Sequence, residues 1–196
     1  MVVADKPAGL LSVPGRGADK QDCLVARVQA EFPDALTVHR LDMATSGLIV
    51  LGRGAEAQRA LSIAFSERRV EKRYVAVVAG HVTADEGEVD LPLITDWPNR
   101  PKQMIDHDIG KPSLTRYRVV ARDTDRTRVE LEPVTGRSHQ LRVHMMALGH
   151  PILGDIFYAP PEIAELSDRL LLHAERLTVP HPETDMKMTF TSTPAF

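Results

Sequence analysis

Strand-length apolar runs outnumber helical stretches in this chain, and the two are not regularly interleaved. That order constrains the fold more than any other feature. Thr37-Val38-His39, Gly47 to Leu51, Arg73 to Val78, Tyr117 to Val120, Arg128 to Leu131, Leu170 to Val179 and Met186 to Thr191 read as strands, short apolar or alternating runs bounded by turn formers. Helical spacing is confined to three stretches. Asp22 to Phe32 carries Leu24, Val25, Val28 and Phe32 and stops before Pro33. Gly54 to Glu67 sets Ala60, Leu61, Ala64 and Phe65 on one face. After the turn Thr135-Gly136-Arg137-Ser138, with Ser138 as N-cap, Leu141, Met145 and Leu148 line a helix that Gly149 ends. Residues 81–112 hold too many Gly and Pro breakers for long elements. The pattern predicts an α+β fold: a mixed, mostly antiparallel central sheet flanked by helices and loops. Val2-Val3 begins almost at the terminus and predicts a short, truncated first strand.

The 196 residues suit one domain, and no linker, repeat or low-complexity run divides them. No apolar run reaches the roughly 18 residues of a membrane span, and no basic segment followed by an apolar one opens the chain. Cys23 is the single cysteine, which excludes an internal disulfide and a multi-cysteine zinc cage. A reducing, cytoplasmic setting and a monomer are expected. The formal net charge of −3 argues against a nucleic-acid partner when taken whole. Its distribution does not. Residues 143–196 hold three Lys/Arg against seven Asp/Glu, while residues 98–122 hold six against two. A locally basic cleft on a mildly acidic protein is therefore expected.

The residues with chemical potential are concentrated in a few places. His39, Arg40 and Asp42 stand within four positions, ahead of a Thr45-Ser46-Gly47 turn and the apolar run Leu48 to Leu51. A loop acid alone ordinarily caps a turn; this one is crowded by a cation and an imidazole on a connection anchored by a strand. His139 and His144 are i, i+5 apart, not the i, i+4 of a metal-binding helix. Ser138 and His139 are adjacent, so on a helix they point about 100° apart and make a poor nucleophile and base. Arg142 reads either as a solvated helix residue or as a partner for an acid or phosphate. Tyr74 follows the basic cluster Arg68, Arg69, Lys72 and Arg73, a combination compatible with base stacking. No metal site is expected. A non-catalytic RNA-binding module and a metal-assisted hydrolase using His39, His139 and His144 are the competing readings.

Six blocks make the combination specific. They are Asp5-Lys-Pro-Ala-Gly-Leu10, His39-Arg-Leu-Asp-Met-Ala-Thr-Ser-Gly47, Lys72-Arg-Tyr-Val75, Gly136-Arg-Ser-His-Gln-Leu-Arg-Val-His144, Gly149-His-Pro-Ile-Leu-Gly-Asp155 and Leu172-His-Ala-Glu175. In this order and spacing the chain resembles the RluA family of pseudouridine synthases along nearly its whole length. Leu11-Ser-Val-Pro-Gly-Arg16, Asp42-Met-Ala-Thr45 and the stretch Leu91 to Lys102 resemble the dual-specificity branch, which acts on 23S ribosomal RNA and the tRNA anticodon stem-loop and lacks an S4-type domain.

The resemblance implies the pseudouridine synthase catalytic fold and a set of roles. Asp42 matches the catalytic aspartate, Arg142 the arginine that pairs with it, and Tyr74 the active-site tyrosine beside the target base. Arg40 matches the residue that fills the space of the extruded base, and Leu172 resembles the apolar residue beneath it. His39, Arg137 and Arg100 are read as further RNA-binding residues. The reaction breaks a glycosidic bond, rotates the base and rejoins it through carbon, with no oxidation or hydrolysis. No cofactor is expected.

Overall fold

The computed structural model describes residues 1–196. In chain order its elements are β1 (Val2–Lys6), α1 (Leu24–Glu31), β2 (Ala35–Thr37), β3 (Ser46–Arg53), α2 (Gly54–Ser66), β4 (Glu71–Ala79), β5 (Glu86–Asp90), β6 (Leu93–Thr95), β7 (Gln103–Ile105), β8 (Leu114–Arg122), β9 (Arg126–Pro133), α3 (Gln140–Ala147), α4 (Pro161–Ala164), β10 (Leu172–Pro180) and β11 (Lys187–Thr191). They group into two compact units. One is Met1–Lys72 with His173–Ala195; the other is Arg73–Leu172 with Phe196.

The first unit is organised by β3. Residues Leu48 to Leu51 are buried on both faces, which explains an unbroken apolar run where a half-exposed strand would alternate. Period-2 geometry divides them. Ile49 and Leu51 join Leu10, Cys23, Leu24, Val25 and Ala35 on one side. Leu48 and Val50 join Leu61, Ala64, Val70, Leu177 and Val179 on the other. β1 runs antiparallel to β3 from Val2↔Leu51 to Lys6↔Gly47, and β2 pairs antiparallel at Ala35↔Arg53 to Thr37↔Leu51. β2 therefore ends at Thr37, two residues short of the predicted His39 end. β10 joins β3 in parallel at His173↔Ser46 and Ala174↔Gly47, and β11 closes antiparallel on β10. Gly47 is required at that junction. Its φ is +110°, and an added Cβ would lie 2.4 Å from the Ala174 carbonyl oxygen.

The second unit holds β4, β9, β8 and β5 in successive antiparallel pairings, with β6 and β7 forming a separate hairpin. The parallel β3–β10 pairing among antiparallel ones makes the mixed, mostly antiparallel character expected of this α+β chain. α3 is buried from Gln140 to Met145, so its apolar face is not the narrow stripe predicted. Leu148 lies beyond the last helical residue and is 36% exposed. The helix start also differs from expectation. His139, not Ser138, takes the N-cap position, in a left-handed conformation with φ 53°. Gln140 holds the turn ahead of the helix: its Oε1 accepts from the Thr135 hydroxyl at 2.7 Å and the Arg137 N–H at 3.0 Å, while no side chain caps the first-turn amides. At the far end Gly149, φ 89°, completes the stop as predicted. Gly149 N–H bonds Met146 O at 3.0 Å and His150 N–H bonds Met145 O at 2.9 Å. No helix is long and apolar enough to cross a membrane.

Candidate active site

In the first unit, the connection between β2 and β3 carries His39, Arg40 and Asp42, and it is pinned by the N-terminal segment. Leu41 is buried, so its main-chain groups need internal partners. Ser12 supplies both: its Oγ donates to Leu41 O at 2.7 Å and accepts the Leu41 N–H at 3.1 Å. On the other side of Asp42, Met43 O accepts from Gly9 N–H at 2.9 Å and from Lys6 Nζ at 3.0 Å. Lys6 is fully buried, and its ammonium also donates to Pro7 O and Leu10 O. Asp42 O accepts the Thr45 N–H at 3.1 Å. The acid thus sits half-buried on a loop whose backbone is fixed on both flanks, while Arg40 is exposed. Neither composition nor spacing singles out Ser12 or Lys6, which lie in the Leu11 to Arg16 and Asp5 to Leu10 stretches.

His39 is held by main chain and an aromatic ring. Its Nε2 accepts the Val50 N–H at 3.0 Å, and its ring stacks on Phe65 at 4.5 Å. Burial foremost, then the nearby Lys72 cation, push its pKa down to about 3, so the ring is neutral.

In the second unit Tyr74 lies on β4, opposite Leu131 of β9, and is half-buried. Its neighbour Arg73 pairs with Glu132 at 2.7 Å. Arg142 projects from α3 and is not a solvated helix residue: it is 3% exposed. Its Nε and Nη2 reach the two oxygens of Asp155 at 2.8 and 2.6 Å, a bidentate fit. The rings of Phe157 and Tyr158 each lie 5.1 Å from its guanidinium carbon. Asp155 also accepts N–H bonds from Phe157 and Tyr158. Asp155, the last residue of the Gly149 to Asp155 block, is the neighbour of Arg142 that spacing alone does not single out.

Arg137, in the turn before α3, is exposed and directs Nε toward Pro112 O at 3.4 Å. Leu172 opens β10 and is buried. Arg100 stands apart on the β6–β7 hairpin, its guanidinium 4.6 Å from the Trp97 ring centroid. The basic surplus of residues 98–122 is smaller than its count. On β8, Arg116, Arg118 and Arg122 pair with Glu88, Glu130 and Asp85; strand register sets the first two acids opposite their arginines. His139 Nδ1 meets the Tyr158 hydroxyl at 2.6 Å. His144 is buried between the Thr115 hydroxyl and Leu91 O, and burial lowers its pKa. No group of three or more His, Cys, Asp or Glu side chains is arranged to hold a metal ion.

Residues 1–147 match the family described as RNA pseudouridylate synthase. The chain belongs to that family. Members of the RNA pseudouridylate synthase family isomerise uridine to pseudouridine in RNA, and this chain is such an isomerase. It is 56% identical over 191 residues to the dual-specificity RNA pseudouridine synthase RluA of Yersinia pestis, covering 97% of this chain and 93% of the relative. To the protein of that name from Escherichia coli K12 it is 57% identical, covering 97% and 87%. Among solved structures, human RNA pseudouridylate synthase domain containing 1 superposes with a TM-score of 0.81 at 29% identity, over 99% of this chain and 80% of the human one. Human RNA pseudouridylate synthase domain containing 4 gives 0.77 at 26% identity, over 98% and 84%. The pseudouridine synthase fold expected from the resemblance is thereby established.

Proposed function

We propose that this chain is a site-specific, dual-specificity RNA pseudouridine synthase acting on 23S ribosomal RNA and on the tRNA anticodon stem-loop. The observation that carries this reading is the 54–57% identity to relatives bearing the dual-specificity name, over at least 97% of this chain. Residues 1–196 are read as one catalytic domain, with roles assigned to residues of both units. The enzyme works as a monomer in the cytoplasm and requires no cofactor.

In this reading the target uridine is flipped out of its loop, at a cost of about a few kcal/mol. Asp42 is the nucleophile toward the target nucleotide, and its pinned loop supports that role. The family resemblance assigns Arg142 as its charge partner, a role in which a cation favours the ionised carboxylate. Tyr74 stacks beside the base and serves proton transfer at C5, and Leu172 lies beneath it. Arg40 occupies the vacated stack; its exposure suits the task. His39, Arg137 and Arg100 contact the RNA. The N1–C1′ bond breaks and a C5–C1′ bond forms. The C5 proton leaves to solvent and N1 gains one, so the net reaction is an isomerisation.

The test uses an anticodon stem-loop and a 23S fragment, each carrying tritium at C5 of uridine. Both should release tritium. Release from one RNA alone overturns dual specificity, and release from neither overturns the substrate assignment. Asp42→Asn should abolish release while RNA affinity stays within about tenfold; turnover by this variant would remove Asp42 from the nucleophile role.

A further inference from the structure

The β6–β7 hairpin carries the chain's single tryptophan, Trp97, and leaves it 64% exposed. Tryptophan ordinarily buries a large apolar area. Here the ring is held at the surface by Arg100, whose guanidinium lies over it. The tip is ordered: Asn99 N–H bonds Asp96 O at 3.1 Å, Lys102 N–H bonds Asn99 O at 3.1 Å, and the Asn99 amide reaches the Asp96 carboxylate. A presented aromatic face with an adjacent cation fits an unstacked nucleobase and its phosphate.

One side chain bridges the returning strand of this hairpin to the start of α3. Gln103 N–H donates to the Tyr158 hydroxyl at 2.8 Å. The same hydroxyl meets Nδ1 of His139, the left-handed residue that starts α3, at 2.6 Å. The Tyr158 ring stacks on the Arg142 guanidinium, and its N–H bonds Asp155. Phe157 provides an internal comparison. It stacks on the same guanidinium at the same 5.1 Å without a hydroxyl, so packing on Arg142 does not explain why residue 158 is a tyrosine. The hydroxyl's two partners do: one belongs to the hairpin, the other to the start of the helix that carries Arg142.

We propose that Tyr158 is a positioning residue that couples RNA contact at the Trp97–Arg100 hairpin to the placement of Arg142. The inference rests on the reading of Arg142 as part of the catalytic set. RNA seated on Trp97 and Arg100 fixes the hairpin. Gln103 and the Tyr158 hydroxyl pass that constraint to His139 and the first turn of α3, and so to Arg142 in its Asp155-held rotamer.

The experiment compares the full chain with Tyr158→Phe, Trp97→Ala and the double variant, using the tritiated anticodon stem-loop. Trp97 fluorescence gives a readout independent of turnover. In the parent protein and in Tyr158→Phe the stem-loop should quench Trp97. Anisotropy of Trp97 should fall in Tyr158→Phe, because the hairpin loses an anchor. This variant should lower kcat about tenfold to a hundredfold with KM changed less than about threefold. The double variant should be no worse in kcat than Tyr158→Phe by more than about threefold, since coupled residues are non-additive. Additive losses, an unchanged kcat in Tyr158→Phe, unchanged anisotropy, or no quenching in an active parent protein would each overturn the proposal. Absence of tritium release from the parent protein marks failure of the substrate reading instead. If Tyr158→Phe does not fold, Gln103→Pro deletes the donor from the hairpin side and should give the same loss of kcat.

Discussion

Arg142 and Asp155 meet through two parallel hydrogen bonds of 2.8 and 2.6 Å, with side chains only 3% and 1% exposed. Each charge has been removed from water and depends on the other. The carboxylate also caps its own turn through the Phe157 and Tyr158 amides. One side chain therefore fixes both the arginine and the loop whose aromatic rings cover it.

Removing the acid tests this directly. Asp155→Ala removes the bidentate carboxylate from a buried guanidinium, and breaking such a pair from one side costs about 3–5 kcal/mol. Urea unfolding of the parent and the variant should show a loss of that order, together with loss of tritium release. A stability change below about 1 kcal/mol, the worth of an exposed pair, would mean that Arg142 is hydrated in solution.

Ser12 carries a second prediction. Ser12→Ala leaves the Leu41 N–H and C=O without the hydroxyl that serves both, at about 1–3 kcal/mol of stability. Amide exchange at Leu41 should quicken by more than exchange elsewhere in the unit, since this bond is local to the Asp42 loop. Turnover should fall by about tenfold as the loop loses its fixed geometry. Unchanged exchange at Leu41 would rule out the tie.

What was legible in the sequence follows from the range of the interactions involved. The strand Leu48 to Leu51 announced itself because burial on both faces leaves no polar alternation. The Gly149 stop was legible because the requirement for positive φ is local. Ser12 gave no comparable signal. Its partner is the main chain of a residue 29 positions away, and a bond to backbone imposes no residue type there. The Arg142–Asp155 pair spans a helix stop and a turn, so neither periodicity nor spacing relates its members. Ser138 is not the cap because the helix starts one residue later, after His139, while the Gln140 side-chain oxygen holds the preceding turn at the Arg137 N–H. The arginines of β8 are visible as a basic surplus, but Glu88 and Glu130, which answer two of them, arrive by strand register.

Gly47 offers a test of the junction between β3 and β10. With φ at +110° and the Ala174 main chain 2.4–2.8 Å from an added Cβ, Gly47→Ala confronts backbone that cannot swing aside. Strain of this kind and the clash together should remove about 3 kcal/mol or more. Thermal unfolding would show it as a fall of several degrees. A midpoint within about 2 °C of the parent would mean that the parallel pairing at His173 and Ala174 contributes little to the fold.

His39 predicts the acid side of the stability profile. The folded protein holds its pKa at about 3, because the half-buried ring is desolvated and Lys72 lies nearby, while the unfolded chain keeps an ordinary value of about 6.5. A depressed folded pKa means that folding favours the neutral ring. Its contribution is fully present above about pH 6.5. As pH falls through that value the unfolded chain binds a proton that the folded one refuses, and stability is lost down to about pH 3, by at most about 1.4 kcal/mol per pH unit. The imidazolium cannot accept the Val50 N–H, so protonation requires that bond to open. His39→Gln keeps an acceptor oxygen and removes the titration. Urea unfolding free energies between pH 7 and pH 5 should then fall less steeply in His39→Gln than in the parent; parallel profiles would refute the assignment. A ring held neutral through this range adds no counterion release on binding RNA, so His39→Gln should leave the salt dependence of RNA affinity unchanged.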